Sequence, residues 1–168
     1  MGSTLTVDNI VGATTAANVK LPAGSTLQTL EGFSYTRVTA TTSTFVDSGV
    51  SVAITPKFTS SKVLVICKHT FETHGHESAR AGLRLMRSGT MIAEIDRMIA
   101  YNYVSGEASV TGGTGVGLFI DSPSTTSSIT YNTQFNNPNS SGTTYCNADD
   151  SGSYEKSRGS IIVMEISV

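Results

Sequence analysis

The sequence predicts an all-β protein, a jelly roll or a related β-sandwich, on three observations. From about residue 33 onward, short apolar segments are separated by turns rich in Ser, Gly and Asn. Several of these segments alternate apolar and polar residues, the period of a strand with one buried face. Charged residues make up only 14% of the chain, whereas it has 23 Ser and 24 Thr, a composition that excludes a coiled coil. About eight strands without a convincing helix are typical of a jelly roll.

The strongest strand patterns lie in the middle of the chain. Residues 50–55 alternate and end at Pro56, because proline lacks the amide donor that a strand needs. Residues 62–71 begin apolar on both faces, which indicates a central strand covered on both sides. Residues 79–87 alternate again and run into Ser88-Gly89, so a hairpin partner is expected to follow.

The second half of the chain contains one ambiguous segment and three clearer ones. Residues 91–100 fit helical spacing as well as a bent strand, and context favours the strand. The glycines of 111–117 would permit a bulge or the close approach of a neighbouring chain. Residues 129–136 alternate cleanly, and a long polar loop is expected over 136–159. Residues 160–168 are apolar on both faces, which predicts a buried final strand.

Charge and hydropathy exclude several classes of function. A formal net charge of −2 and a pI near 5.9 provide no basic face for nucleic acid or for an anionic membrane surface. The longest apolar run, 63–67, is five residues, far below the roughly 20 that span a bilayer, so no membrane insertion is expected. Export is not expected either, because no signal peptide pattern is visible. The two cysteines, Cys67 and Cys146, are predicted to be free thiols.

Residues 1–30 form a separate zone, an extended N-terminal anchor ahead of a head domain over 31–168. Asp8 and Lys20 are its only charged residues. Its aliphatic residues are too dispersed to form a core alone, so they are expected to pack against another copy or a partner. The predicted attachment residues are Leu5, Val7, Ile10, Val11, Val19 and Leu21.

Both ends of the chain resemble a known family. The stretch 5–28, LTVDNIVGATTAANVKLPAGSTLQ, resembles the N-terminus of small virion fibre proteins of marine tailed bacteriophages, notably cyanophages. The closing stretch 160–166, SIIVMEI, is similar to the last strand of the same proteins. Members of that family carry a trimeric jelly-roll head like that of complement C1q and tumour necrosis factor.

The resemblance implies a homotrimer that is assembled in the bacterial cytoplasm and incorporated into a virion. Its N-terminal segment would attach to other phage structural proteins of the tail or capsid. The loops 72–78, 101–109 and 136–159 would face outward and bind a host-surface glycan or protein. A capsid decoration protein is the alternative within the virion, and a free jelly-roll lectin or enzyme is the alternative outside it.

One metal site is considered, at His74 and His76. Residues two apart in an extended segment point the same way, so both imidazoles could reach one transition-metal ion. By resemblance to some phage fibres, three copies of this pair would surround an ion on the three-fold axis. A solvent loop that happens to hold two histidines is the favoured interpretation, and no other cofactor is expected. His69 is expected to face a mixed surface rather than to join this site.

Host contact is assigned to polar loops that contain tyrosines, since a flat ring stacks on a ligand and amides form hydrogen bonds. The candidates are Tyr101, Tyr103, Tyr145, Asn147 and Tyr154, with subunit packing as the alternative role. The arginines at 80, 84, 87 and 97 are expected to pair with carboxylates at 72, 77, 94 or 96 rather than bind an anionic glycan. No enzyme is expected, because the chain lacks a Gly-x-Ser-x-Gly nucleophile motif.

Overall fold

A computed structural model of the protein describes residues 21–75, 78–103, 109–147 and 157–168. These residues form ten strands and no helix: β1 (Thr26–Ser34), β2 (Val38–Ala40), β3 (Val46–Ile54), β4 (Lys62–Gly75), β5 (Ala81–Arg87), β6 (Thr90–Ile99), β7 (Ser109–Asp121), β8 (Ile129–Asn136), β9 (Thr143–Cys146) and β10 (Gly159–Ile166). The all-β prediction is confirmed, and so is the preference for a strand over a helix in β6.

The strands form two antiparallel sheets whose inner faces share one core, the arrangement of a β-sandwich. In the six-stranded sheet, β10 and β9 pair with successive parts of one edge of β4, and β7 pairs with its other edge. β1 pairs with β10 and β2 with β9, at the outside of this sheet. The four-stranded sheet has the order β3-β8-β5-β6. Val65 and Val163 of the first sheet pack with Val50, Leu85 and other buried residues of the second. Burial of these aliphatic side chains is the main driving force for the fold.

The longest strand, β4, gives the molecule two distinct ends. Its 14 residues span about 40 Å at 3.3 Å per residue. At its first end, Lys62 pairs with Ile166 of β10, and Gly24 donates a backbone hydrogen bond to the carbonyl of Ser167, so we call this the proximal end. At its other end, Gly75 pairs with Ser109, and we call this the distal end.

Two predicted boundaries and the predicted number of strands differ from the structure of the described residues. Strand β1 begins at Thr26 and pairs with β10, so the predicted anchor of 1–30 overlaps the first strand of the head. The predicted loop over 136–159 is interrupted by β9, which pairs with both β2 and β4. The strand count is ten rather than about eight, because β2 and β9 are segments of three and four residues with too little alternation to identify.

Strand β7 differs from an ordinary strand of a sandwich, because several of its large apolar side chains point away from the core. Three successive inward positions carry Gly113, Gly115 and Gly117, and the outward positions include exposed Val116, Leu118 and Ile120. The glycines are required, because a Cβ built at Gly115 would lie 2.6 Å from the side chain of Ile99, and one at Gly117 would lie 2.8 Å from Ile95. The close approach expected of this glycine-rich segment is therefore made by β6 of the same chain.

Both cysteines are free, as predicted, and both are buried. Burial raises the pKa of the Cys67 thiol to about 11 and raises that of Cys146 as well, because a thiolate is poorly solvated in the core. Neither sulfur is therefore a nucleophile at neutral pH.

Candidate interaction surfaces

The outer face of the six-stranded sheet carries a contiguous apolar surface. The register aligns Ile66 with Leu118 and Ile162 in one row across three strands, and Leu64 with Ile120 and Met164 in the next. We call these six residues the apolar patch. Leu118 is 68% exposed and Ile120 is 62% exposed. Contiguous apolar surface of this kind marks a site of interaction with another molecule.

Polar and charged groups border the apolar patch. Lys62 lies at its proximal side and donates to the Ser122 hydroxyl at 2.7 Å, and exposed Lys68 lies at its distal side. Along β1, Glu31 is paired with Arg158 at 2.7 Å. An apolar centre with a polar rim is the usual anatomy of a protein–protein interface.

A polar cluster occupies the distal part of the same outer face. The His74 Nε2 lies 2.5 Å from a Glu72 carboxylate oxygen, and its ring meets the Tyr145 ring edge-on at 4.9 Å. Arg37 stacks over the same Tyr145 ring, with its guanidinium carbon 4.5 Å from the ring centre. Tyr145 is half-buried on β9 rather than free on a loop.

The predicted metal pair falls partly outside the described residues. His74 lies on β4, with its Nε2 in contact with Glu72, and His76 is not among the described residues. Within the described ranges, no group of three or more His, Cys, Asp or Glu side chains is arranged to hold a metal ion. The two-histidine site stays a prediction.

Tyr101 and Tyr103 form an aromatic pair at the distal end. Their rings stack with centroids 6.1 Å apart, and Tyr103 is 69% exposed. Between them, Asn102 is buried and donates from Nδ2 to the carbonyls of Gly75 and Ser109, both at 3.1 Å. These hydrogen bonds hold residues 101–103 in place, so the two tyrosine rings project from the distal end.

Asn147 and His69 lie in the core, which corrects two predictions. Asn147 is 1% exposed and donates from Nδ2 to the carbonyls of Thr36 and Ser48, so it is not a host-contact residue. Its Oδ1 accepts from His69 Nδ1 at 2.9 Å. His69 is fully buried rather than on a mixed surface, and desolvation lowers its pKa below the ordinary value. The polar side chains of both residues therefore lie in the interior of the sandwich.

Several predicted residues lie outside the described ranges. These include Tyr154 and the attachment residues Leu5, Val7, Ile10, Val11 and Val19. The remaining attachment residue, Leu21, is exposed at the proximal end, where its carbonyl accepts from the Ser167 hydroxyl at 3.2 Å. Whatever precedes residue 21 therefore joins the head beside its last strand.

Among the four arginines at 80, 84, 87 and 97, Arg97 alone has one of the expected carboxylates as its partner in the described residues. Arg97 pairs with Glu94 on the outer face of the four-stranded sheet. Arg87 faces the opposite side and bonds Asp121 at 2.7 Å, a partner that the sequence did not indicate. Arg84 lies over the Phe45 ring with its guanidinium carbon 3.9 Å from the ring centre, a contact that no local pattern predicts.

Comparisons with known proteins give only weak structural likenesses. No protein-family model matches the chain, and no curated protein matches it. A structure of the Gx strain of infectious bursal disease virus matches with a TM-score of 0.29 and 12% sequence identity, over 89% of this chain and 41% of that chain. So low a TM-score carries no argument about fold or function. Across the described residues, no helix is long and apolar enough to cross a membrane.

Proposed function

We propose that this chain is a structural protein of a bacteriophage virion, a homotrimeric fibre or receptor-binding head that attaches through its N-terminal segment. The apolar patch is the observation that carries the proposal. Strand β7 has glycine at three inward positions and directs Leu118 and Ile120 outward, an arrangement that leaves large aliphatic side chains in water unless another subunit covers them. The three-fold order and the virion setting come from the family resemblance.

The strand order supports a jelly roll as the finer fold. When β2 and β9 are set aside, eight strands remain in two sheets, β1-β10-β4-β7 and β3-β8-β5-β6. The pairs β1 with β10, β3 with β8, β4 with β7 and β5 with β6 are those of one long hairpin wound around the core. Such winding is how a jelly roll places successive strands in opposite sheets.

The two ends of the head suit attachment and recognition. The chain enters at the proximal end, where Gly24 and Ser167 are hydrogen-bonded. The exposed Tyr103 lies at the distal end, about the length of β4 away. A trimer fixed to a particle by its proximal end would direct the tyrosine pair toward the host.

Assembly through the apolar patch is tested by a matched pair of substitutions. In Leu118→Lys, a charge enters the centre of the proposed interface, and the desolvation that it would suffer there should dissociate the trimer. In Met91→Lys, the same charge enters an exposed apolar position of β6, 51% accessible, in the other sheet. Native mass spectrometry should give about three times 17.6 kDa for the wild type and Met91→Lys, and 17.6 kDa for Leu118→Lys. A monomeric wild type, or a trimeric Leu118→Lys, would refute this mode of assembly.

The virion role is tested by removing residues 1–20. The cut stops before β1, because deletion to residue 30 would remove part of a strand. Phage particles assembled with the shortened chain should lack it, while the isolated shortened chain should still be trimeric. Incorporation without residues 1–20 would contradict the proposal. Copy number in intact particles distinguishes a fibre, present in few copies, from a capsid decoration protein, present in tens to hundreds.

A further inference from the structure

An open cleft lies on the outer face of the four-stranded sheet. Its lining consists of Phe45, Glu94, Arg97, Asn136 and Pro138, and its volume is about 220 Å³. Sites for drug-sized ligands occupy roughly 300–1,000 Å³, so this cleft has room for one ring-sized group.

The cleft lies at the distal end and on the face that assembly leaves free. Pro138 belongs to the loop after β8, and this loop packs on the end of β4, where a Cβ on Gly75 would lie 2.8 Å from the carbonyl oxygen of Ser141. The same glycine is bonded by Asn102, which supports the tyrosine pair. Because the apolar patch is on the other sheet, a trimer formed through the patch would keep the cleft open to solvent.

The side chains of the cleft are held in place before any ligand arrives. Arg84 covers one face of the Phe45 ring and donates from Nε and Nη2 to the Gln134 amide oxygen, at 3.0 and 2.5 Å. Asn136, which is buried, donates from Nδ2 to the Ser43 carbonyl at 2.7 Å. A site with fixed side chains loses less conformational entropy when it binds a ligand.

The chemistry of the lining selects a neutral, hydroxyl-rich ligand. Glu94 and Arg97 are paired with each other, so the five lining residues together have no net charge, and the neighbouring Arg84 guanidinium is engaged by the Phe45 ring and the Gln134 amide. Both side chains are exposed and keep free hydrogen-bonding capacity, the carboxylate as acceptor and the guanidinium as donor. Phe45 and Pro138 add apolar surface beside them. A pyranose ring offers this combination, with apolar C–H faces and hydroxyl groups at its edge.

We propose that this cleft binds a single neutral sugar residue of a host-surface glycan. The proposal rests on the proposed function for its biological setting, and it assigns the ligand class and the residues that recognise it. Glu94 and Arg97 bind the hydroxyl groups, and Phe45 and Pro138 contact the ring. The tyrosine pair is then a neighbouring contact at the same end, rather than the site of the first sugar.

The experiment uses the full chain and a panel of methyl glycosides. The neutral members are those of glucose, galactose, mannose, fucose and N-acetylglucosamine, and the charged members are galacturonate and glucosamine. Saturation-transfer NMR should detect at least one neutral member, with a dissociation constant of about 1 mM, typical of one small polar ligand. Arg97→Gln and Glu94→Gln should each weaken that binding at least tenfold.

The control is Asp96→Asn, which removes a charge from the same strand outside the cleft. The Asp96 carboxylate accepts a hydrogen bond from the Met98 amide, and an asparagine oxygen can accept the same bond. Asp96→Asn should therefore bind as the wild type does, and melting curves should show that all three variants fold.

The inference would be overturned by no binding of any neutral glycoside, or by unchanged binding in both Arg97→Gln and Glu94→Gln. Binding confined to a charged sugar would also overturn it. Failure here is distinguishable from failure of the proposed function. A trimer that binds no neutral sugar refutes the cleft alone, whereas a monomer that binds one refutes the trimeric assembly and leaves the cleft standing.

Discussion

At the residue scale, a chain of buried hydrogen bonds joins the two sheets through His69. Because the Asn147 oxygen accepts from Nδ1, the neutral ring carries its proton there, and Nε2 accepts from the Thr133 hydroxyl at 2.8 Å. Thr133 in turn lies 2.6 Å from the Ser48 hydroxyl. Cys146 lies 3.5 Å from Nδ1, at the edge of the network. Each of these polar groups is buried and has a partner, which is the condition for tolerating it in a core.

Acid should destabilise the protein through His69. Its pKa in the folded state is lowered from 6.5 by desolvation, against the opposing effects of Asn147 and Asp47, so the unfolded chain binds the proton more readily. The stabilising contribution is complete above about pH 6.5 and is lost as pH falls toward the folded pKa. We expect a free energy of unfolding about 1–2 kcal/mol lower at pH 5 than at pH 7.5, measured by urea denaturation at one protein concentration.

Two variants test the assignment of this pH dependence to His69. His69→Gln should lose about 1–3 kcal/mol at pH 7.5, because hydrogen-bond partners are left unsatisfied, and should show a flatter response between pH 7.5 and pH 5. His74→Gln removes a half-exposed histidine of the same strand and leaves the buried network intact, so the acid loss should persist. An unchanged slope in His69→Gln would assign the acid sensitivity elsewhere.

His69 and Asn147 also mark a limit of prediction from the sequence. Both polar types are common on surfaces, and Asn147 lies among other polar residues, so its neighbours indicate a loop. Burial is possible because partners as distant as Thr36 and Ser48 are brought to it by the fold. Such partners are separated by about 100 residues along the chain, and no local pattern reveals them.

At the element scale, most of the strands after residue 40 are predictable, but the orientation of β7 is not. β8 is predicted because its apolar residues have a period of two, and β4 and β10 because they carry apolar residues on both faces. In β7 an alternation is also present, with glycine at the inward positions 113, 115 and 117 and large apolar residues at outward positions 116, 118 and 120. The ordinary rule would direct the apolar set inward, but β6 and its neighbours pack so close to the three glycines that no larger side chain fits there.

The glycine requirement in β7 gives a prediction with an internal control. Gly115→Ala places a methyl group 2.6 Å from Ile99, 3.1 Å from Leu83 and 3.1 Å from Phe71, so the core must shift and the protein should lose about 1–3 kcal/mol. Gly112→Ala is the matched substitution on the outward side, with its nearest atom, the Phe71 carbonyl oxygen, at 3.9 Å. It should change stability by no more than about 0.5 kcal/mol. Equal losses in thermal denaturation would contradict the close packing of β6 on β7.

At the scale of the whole molecule, assembly and folding should be linked. If subunits cover the apolar patch only in the trimer, the folded chain is stabilised by mass action, and its melting temperature should rise with protein concentration. A tenfold increase should raise the wild-type melting temperature by a few degrees, measured by calorimetry. Leu118→Lys should melt at a lower temperature that is independent of concentration. A wild type with no concentration dependence would indicate that the patch stays exposed.

The interaction surfaces were only partly predictable at this scale. Tyr103 could be proposed from its setting in a polar segment, and it is exposed at the distal end. The cleft could not be proposed, because its lining residues come from three separate parts of the chain, between Phe45 and Pro138. The ion pair of Glu94 and Arg97 could be predicted, because the two residues are close in sequence. No local pattern indicates that the Phe45 ring lies beside them.

The backbone hydrogen bonds that Gly24 and Ser25 form with Ser167 determine where foreign sequence can be displayed on this protein. A peptide fused after Val168 would leave the head within a few residues of Gly24, which in the proposed virion is the side directed toward the particle. It would be shielded there from antibodies and from a cell surface. An epitope inserted at Ser140-Ser141, in the loop that packs on the distal end of β4, would instead be presented outward. Display on this scaffold therefore calls for a loop insertion rather than a terminal fusion.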